Sequence, residues 1–284
     1  MRGFMGKTEE MVSDNGDLAF PVPEDYNIRK PDVDYGEVRE IRYHSNTVGK
    51  DRKALVVLPP AYTEDKKYPV VYLCHGLGQD QTQWLDDGSV QFMLGNMIAD
   101  GTAKEMILVL PNCRARENDE ADPEDAFAIT NYRAFDRFLY EFQSDLQPYI
   151  DSHFSVAAGR EHTAIAGFSM GGRVSLHLGV TLPDTFGYIG AFCPAPGIFH
   201  YTHMNVTEEG LFTEETFDIK EKYRDRTVLM IVAGKSDMLV GGYPEKYHSV
   251  LASHGVVHIW YRKQGGHDMS VSGHGLYNFM KLIF

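Results

Sequence analysis

The sequence predicts an α/β fold, a mostly parallel central sheet of about eight strands with helices on both faces. Short β-rich runs alternate with longer amphipathic segments along most of the chain. Most of those runs are apolar on both faces, as expected of strands covered by helices on each side. The 284 residues, 43% hydrophobic and 24% charged, have the composition of a globular chain able to bury one large core.

In order, the candidate strands are residues 38–44, 53–58, 70–74, 106–110, 163–168, 188–192, 228–233 and 258–262. Between residues 132 and 150, Phe135, Phe138, Leu139, Phe142, Leu146, Tyr149 and Ile150 recur at helical spacing, and Pro148 should disturb the last turn. Further helices are expected at 90–99, 170–182, 243–253 and 275–284. Residues 1–35 are polar, carry Pro21, Pro23 and Pro31, and read as an N-terminal arm; 36–284 read as a single α/β domain. Two stretches break the alternation and are expected to be lids or binding loops. One is 114–129, with the acidic run Glu117, Asp119, Glu120, Asp122, Glu124 and Asp125; the other is a lid-like insertion near 194–226. The acidic run matches no calcium-ligand loop and reads as a solvated face.

Composition narrows the function. A formal net charge of −13 opposes binding to nucleic acid or to anionic lipid. No apolar run approaches the roughly 20 residues of a membrane span, and residues 1–10 lack the apolar stretch of a signal peptide. Cys74, Cys113 and Cys193 form no CxxC pair and cannot all pair with one another, which fits a reducing compartment and small buried hydrophobes. The expected location is cytoplasmic for the chain as it stands, or secreted if it is a module of a longer enzyme.

The sharpest local feature is Gly167-Phe168-Ser169-Met170-Gly171-Gly172, directly after an apolar run and directly before a helical segment. Such a strand-to-helix reversal exposes Ser Oγ on a strained backbone, and small neighbours let strand and helix approach closely. A serine hydroxyl is a weak nucleophile at neutral pH and needs a base, which in turn needs an orienting acid. Asp237, in the loop after strand 228–233, and His267, in Gly265-Gly266-His267-Asp268 after strand 258–262, supply them at the same sheet end. The order Ser, Asp, His is that of the α/β-hydrolases. Among twelve histidines, His274 begins the expected last helix rather than ending a strand. Asp268 suits a helix N-terminal charge, and His200 and His203 lack a third ligand of recognisable pattern, so no metal site is read. The expected oxyanion donors are the backbone N–H groups of Met170 and of Leu77, the latter in the glycine-rich turn Cys74-His75-Gly76-Leu77-Gly78. His75 itself reads as structural.

Taken together, Tyr68-Pro69-Val70-Val71-Tyr72-Leu73-Cys74-His75-Gly76, Trp84, Leu110-Pro111-Asn112, Arg160-Glu161-His162, the segment around Ser169, Ala233-Gly234-Lys235-Ser236-Asp237 and Gly265-Gly266-His267-Asp268 resemble the esterase family of α/β-hydrolases. The pattern is closest to the feruloyl and acetylxylan esterases of carbohydrate esterase family one, from near Gly36 to the end of the chain. The resemblance implies an α/β-hydrolase fold, Ser169 as nucleophile, Asp237 as orienter, His267 as base and acid, and the Leu77 and Met170 amides as oxyanion hole. It implies release of hydroxycinnamoyl groups from plant cell-wall polysaccharide or its fragments, without metal or organic cofactor. One departure stands: where relatives often carry an aromatic residue after the catalytic histidine, this chain has Met269, Ser270, Val271 and Ser272. Trp84, Phe199, Tyr201, Met238 and Met269, near expected sheet-end loops, are the candidate substrate contacts. An acetyl or general short-chain carboxylesterase is the second reading. A non-catalytic binding module on a hydrolase scaffold is the third.

Overall fold

Burial on both faces turns the apolar runs into the interior of one sheet. In the computed structural model, which describes residues 11–13, 16–203 and 206–284, the strands are β1 (Met11–Ser13), β2 (Val38–Ser45), β3 (Lys50–Val57), β4 (Val70–Cys74), β5 (Ile107–Pro111), β6 (Thr163–Phe168), β7 (Tyr188–Phe192), β8 (Tyr201–His203), β9 (Val206–Glu208), β10 (Val228–Gly234) and β11 (Ile259–Lys263). Nine form one sheet in the order β1-β11-β10-β7-β6-β4-β5-β3-β2, and β8 and β9 form a separate hairpin. Among the described residues of the nine-stranded sheet, only the β2–β3 and β3–β5 pairs are antiparallel. The eight expected strands are all present. The ninth, β1, is three residues long and too short to show a period; it pairs with β11 at the sheet edge.

Alternate side chains of each strand enter opposite cores. Val70, Tyr72 and Cys74 of β4 face one, and Val71 and Leu73 face the other. Helices α1 (Val90–Ala99) and α5 (Met269–Leu282) cover the face of Val71; α2 (Ile129–Glu141), α3 (Met170–Thr181) and α4 (Tyr243–Ser253) cover the face of Tyr72. After α2 the helical path continues through a π-turn, Phe142–Leu146, into Gln147–His153. Pro148, which cannot donate to the preceding turn, directly follows that π-turn, so the helix is locally widened there and the run is not broken.

Helix α5 begins at Met269, well before the expected residue 275. The Asp268 carboxylate accepts the Ser270 and Val271 amides and caps it. Gly273 and Gly275 lower the local helix signal, but they are where α5 lies closest to its neighbours: a Cβ on Gly275 would sit 2.6 Å from the Phe192 ring. Packing outweighs propensity here.

Phe20 of the N-terminal segment is buried and stacks on Tyr261 with ring centroids 4.4 Å apart. In the 194–226 insertion, Phe199 and Phe217 pack edge-on to each other and to Tyr247 of α4. Among the described residues, no helix is long and apolar enough to cross a membrane.

Candidate active site

The chain leaves β4 for β5 on one side and places β6 and β7 on the other, so the sheet order reverses between β4 and β6. The crevice beyond such a switch point is where open α/β sheets hold ligands. Ser169 stands at that crevice, at the end of β6. Its backbone is strained, at φ 57° and ψ −117°, and is held from three sides. The Ser169 amide donates to Phe192 O (2.9 Å), and its carbonyl accepts the Arg173 and Ala195 amides (3.0 Å each). Two glycines permit the turn: a Cβ on Gly171 would lie 2.3 Å from Cys74 O, and one on Gly167 would lie 2.5 Å from the Gly171 backbone.

Strands β10 and β11 stay zipped beyond the sheet, with Lys235 N donating to Lys263 O (2.8 Å) and Ser236 N to Gly265 O (2.9 Å). This brings the two following loops side by side. Asp237 Oδ2 accepts from His267 Nδ1 at 2.8 Å, and His267 Nε2 lies 2.8 Å from Ser169 Oγ. A carboxylate only accepts, so the imidazole proton is on Nδ1 and Nε2 offers its lone pair to the serine hydroxyl. Burial alone would raise the Asp237 carboxyl. The His267 hydrogen bond and charge, the Val240 amide and the Cys193 thiol outweigh it and hold the group below its usual range. The imidazole is further fixed by Phe168, 4.7 Å away between ring centroids. Asp268 points away from the relay, engaged in capping α5 and accepting the Gly266 amide. His274 is buried within α5 and bonds Tyr261 Oη.

Ser169 and His267 open into a cleft of about 580 Å³, with Asp237 buried behind the imidazole. Its walls are mostly apolar, from Leu77, Ala126, Phe127, Met170, Ala195, Pro196, Leu239 and Val240, with Gln79, Asp122 and Tyr132 as polar points. Both residues whose amides were expected to bind an oxyanion, Leu77 and Met170, border this cleft beside Ser169.

None of the five expected substrate contacts does. Trp84 is buried beneath the site and donates Nε1 to Cys74 O (2.9 Å). Phe199 is committed to the aromatic cluster of the insertion, and Tyr201 is buried against Tyr132. Met238 is 94% exposed, while its neighbours Leu239 and Val240 take the cleft wall. Met269 packs against the core under α5. Proximity to a strand end leaves open which way a side chain turns. Sequence reasoning missed Phe127, Tyr132 and Leu239 as wall residues; the irregular stretch 114–129 was the signal that pointed nearest to them.

Cys193, Asp237 and His267 are the one trio of metal-ligating side chains among the described residues with donor atoms all within 4.8 Å. Those donors are already engaged, the thiol and the imidazole both on the Asp237 carboxylate.

The switch-point site, the strained serine and the ordered Ser, Asp, His elements define an α/β-hydrolase. The chain belongs to the family described as "Putative esterase", whose model matches residues 45–281. Among solved structures it is similar to a CE1 ferulic acid esterase from Anaeromyces mucronatus in complex with ferulic acid, at 36% identity and a TM-score of 0.85, covering 93% of this chain and 96% of that one. A feruloyl esterase module from Clostridium thermocellum complexed with sinapinate shares the fold at 18% identity and a TM-score of 0.69, covering 98% of this chain and 96% of that one. Among curated proteins, an endo-1,4-beta-xylanase/feruloyl esterase of Xylanibacter ruminicola is 30% identical over 180 residues, 59% of this chain. The match spans only 23% of that relative's length.

Proposed function

We propose that this chain is a serine carboxylic ester hydrolase that releases hydroxycinnamoyl groups, feruloyl foremost, from plant cell-wall polysaccharide or its fragments. The observation that carries the reading is the continuous Asp237–His267–Ser169 hydrogen-bond relay opening into a mostly apolar cleft. Ser169 Oγ attacks the ester carbonyl while His267 Nε2 takes its proton, and Asp237 stabilises the imidazolium without itself being protonated. The carbonyl oxygen becomes an oxyanion facing the Leu77 and Met170 amides. Each such donor contributes about 3–4 kcal/mol to the transition state. His267 returns the proton to the departing sugar hydroxyl, leaving an acyl-serine. Water then attacks the acyl carbon, giving its proton to Nε2, and the same steps in reverse free the acid and Ser169.

The acyl group favoured is flat and aromatic, because the cleft wall offers Phe127, Leu239, Val240 and Pro196 with few polar points. The similarity to a ferulic acid esterase over most of both chains supports the same choice. A panel of methyl ferulate, methyl p-coumarate and p-nitrophenyl acetate tests it. The unaltered protein should turn over the hydroxycinnamates with the higher kcat/KM, and Ser169→Ala should lose turnover of all three while remaining folded. Preference for the acetyl ester would overturn the acyl assignment, and a fully active Ser169→Ala would overturn the mechanism.

A further inference from the structure

His75 is buried, and its ring nitrogens bond groups outside the Asp237–His267–Ser169 relay. The Cys113 amide can only donate, and it lies 2.9 Å from Nε2, so Nε2 carries a lone pair. In a neutral imidazole the proton then sits on Nδ1, which donates to Gly76 O at 2.8 Å. Asn112 Oδ1, 3.3 Å from Nε2, accepts from the Arg114 amide instead. Burial, the largest influence, holds the ring's pKa down to about 4 and keeps it neutral. On the other side of the turn, Gln83 Oε1 accepts the Gly76 amide at 2.8 Å.

These bonds fix the direction of the next peptide. In a trans peptide the N–H of residue 77 points opposite to the C=O of residue 76. With Gly76 O drawn toward the imidazole, the Leu77 N–H is turned away from it. Leu77 lines the cleft, and a Cβ on Gly76 would lie only 3.4 Å from Ser169 Cβ. We propose that His75 is a positioning residue that aims the Leu77 amide at the oxyanion, using the end of β5 as its anchor through Cys113. The inference rests on the hydrolase reading above.

Two substitutions separate its two bonds. His75→Asn keeps an amide donor at the Nδ1 position, and His75→Gln keeps only an acceptor at the Nε2 position. With an arylboronic acid as the tetrahedral probe, His75→Gln should lower kcat and boronate affinity together by about 10–100-fold, short of the full loss of an oxyanion donor. KM for methyl ferulate should move less than about 3-fold, and His75→Asn should recover most of the loss. Folded variants that match the unaltered protein in both kcat and boronate affinity would overturn the proposal, as would equal losses in the two. If neither variant folds, NMR of the unaltered protein decides. An Nδ1-protonated His75 and a Leu77 amide proton moved downfield by boronate support the proposal; an Nε2-protonated ring or an unmoved Leu77 amide overturns it. Absence of both ester turnover and boronate binding in the unaltered protein would instead sink the hydrolase reading.

Discussion

At Ser169 the φ of 57° stores strain that the surrounding hydrogen bonds must hold, and such strain costs about 1–3 kcal/mol. Glycine at 171 is part of that hold. Gly171→Ala would set a methyl against the Cys74 carbonyl, a backbone atom that cannot rotate aside. The variant should lose at least about 2 kcal/mol in urea unfolding along with most activity; a stable, active variant would show that the elbow can open. Asp237→Asn leaves the shape and reverses the tautomer logic, since an amide can donate to Nδ1. Its kcat should fall roughly 10⁴-fold with KM little changed. The depressed Asp237 pKa also predicts a sign with pH. Its stabilising contribution is complete above the unfolded value of about 3.9 and is lost as pH falls through the folded value. Unfolding measurements should therefore show the gap between wild type and Asp237→Asn narrowing below about pH 4.

Elements place these residues, and here the sequence was only partly legible. The strands were readable because apolar runs on both faces leave few other structures, and the relay residues because each follows such a run. The start of α5 was hidden by glycines that serve packing. The stretch 114–129 shows no period because side-chain bonds rather than a backbone ladder hold it, from Arg116 to Asp125, from Asn131 to the Ala126 carbonyl, and at its start from a residue far away in sequence. Arg52, 0% exposed, donates to the carbonyls of Asn112, Arg114 and Arg116 and to Glu141 Oε1. Glu141→Ala would leave that guanidinium buried without its main counter-charge, at a cost of about 3–5 kcal/mol measured by denaturant unfolding. It should also raise KM by disordering the wall that carries Ala126 and Phe127. The wall residues themselves were not legible: Met238 and Leu239 are adjacent and alike in hydropathy, and only the turn held by Asp237 Oδ1 on the Leu239 and Val240 amides decides which faces the cleft. Phe127→Ala should lower kcat/KM for methyl ferulate several-fold more than for p-nitrophenyl acetate; equal losses would remove Phe127 from the acyl site.

Across the whole molecule, one sheet organises everything: its order reverses between β4 and β6, its two faces bury separate cores, and its carboxyl end carries every group of the proposed chemistry. Segments distant along the chain are tied into that frame, as Phe20 is on Tyr261. In the proposed mechanism acyl transfer passes through Ser169. Mass spectrometry of protein quenched in acid during turnover of methyl ferulate tests it most directly. A feruloyl adduct should appear on the peptide containing Ser169 and be absent from Ser169→Ala. An adduct on another residue, carried by a protein that turns over the ester, would contradict the account.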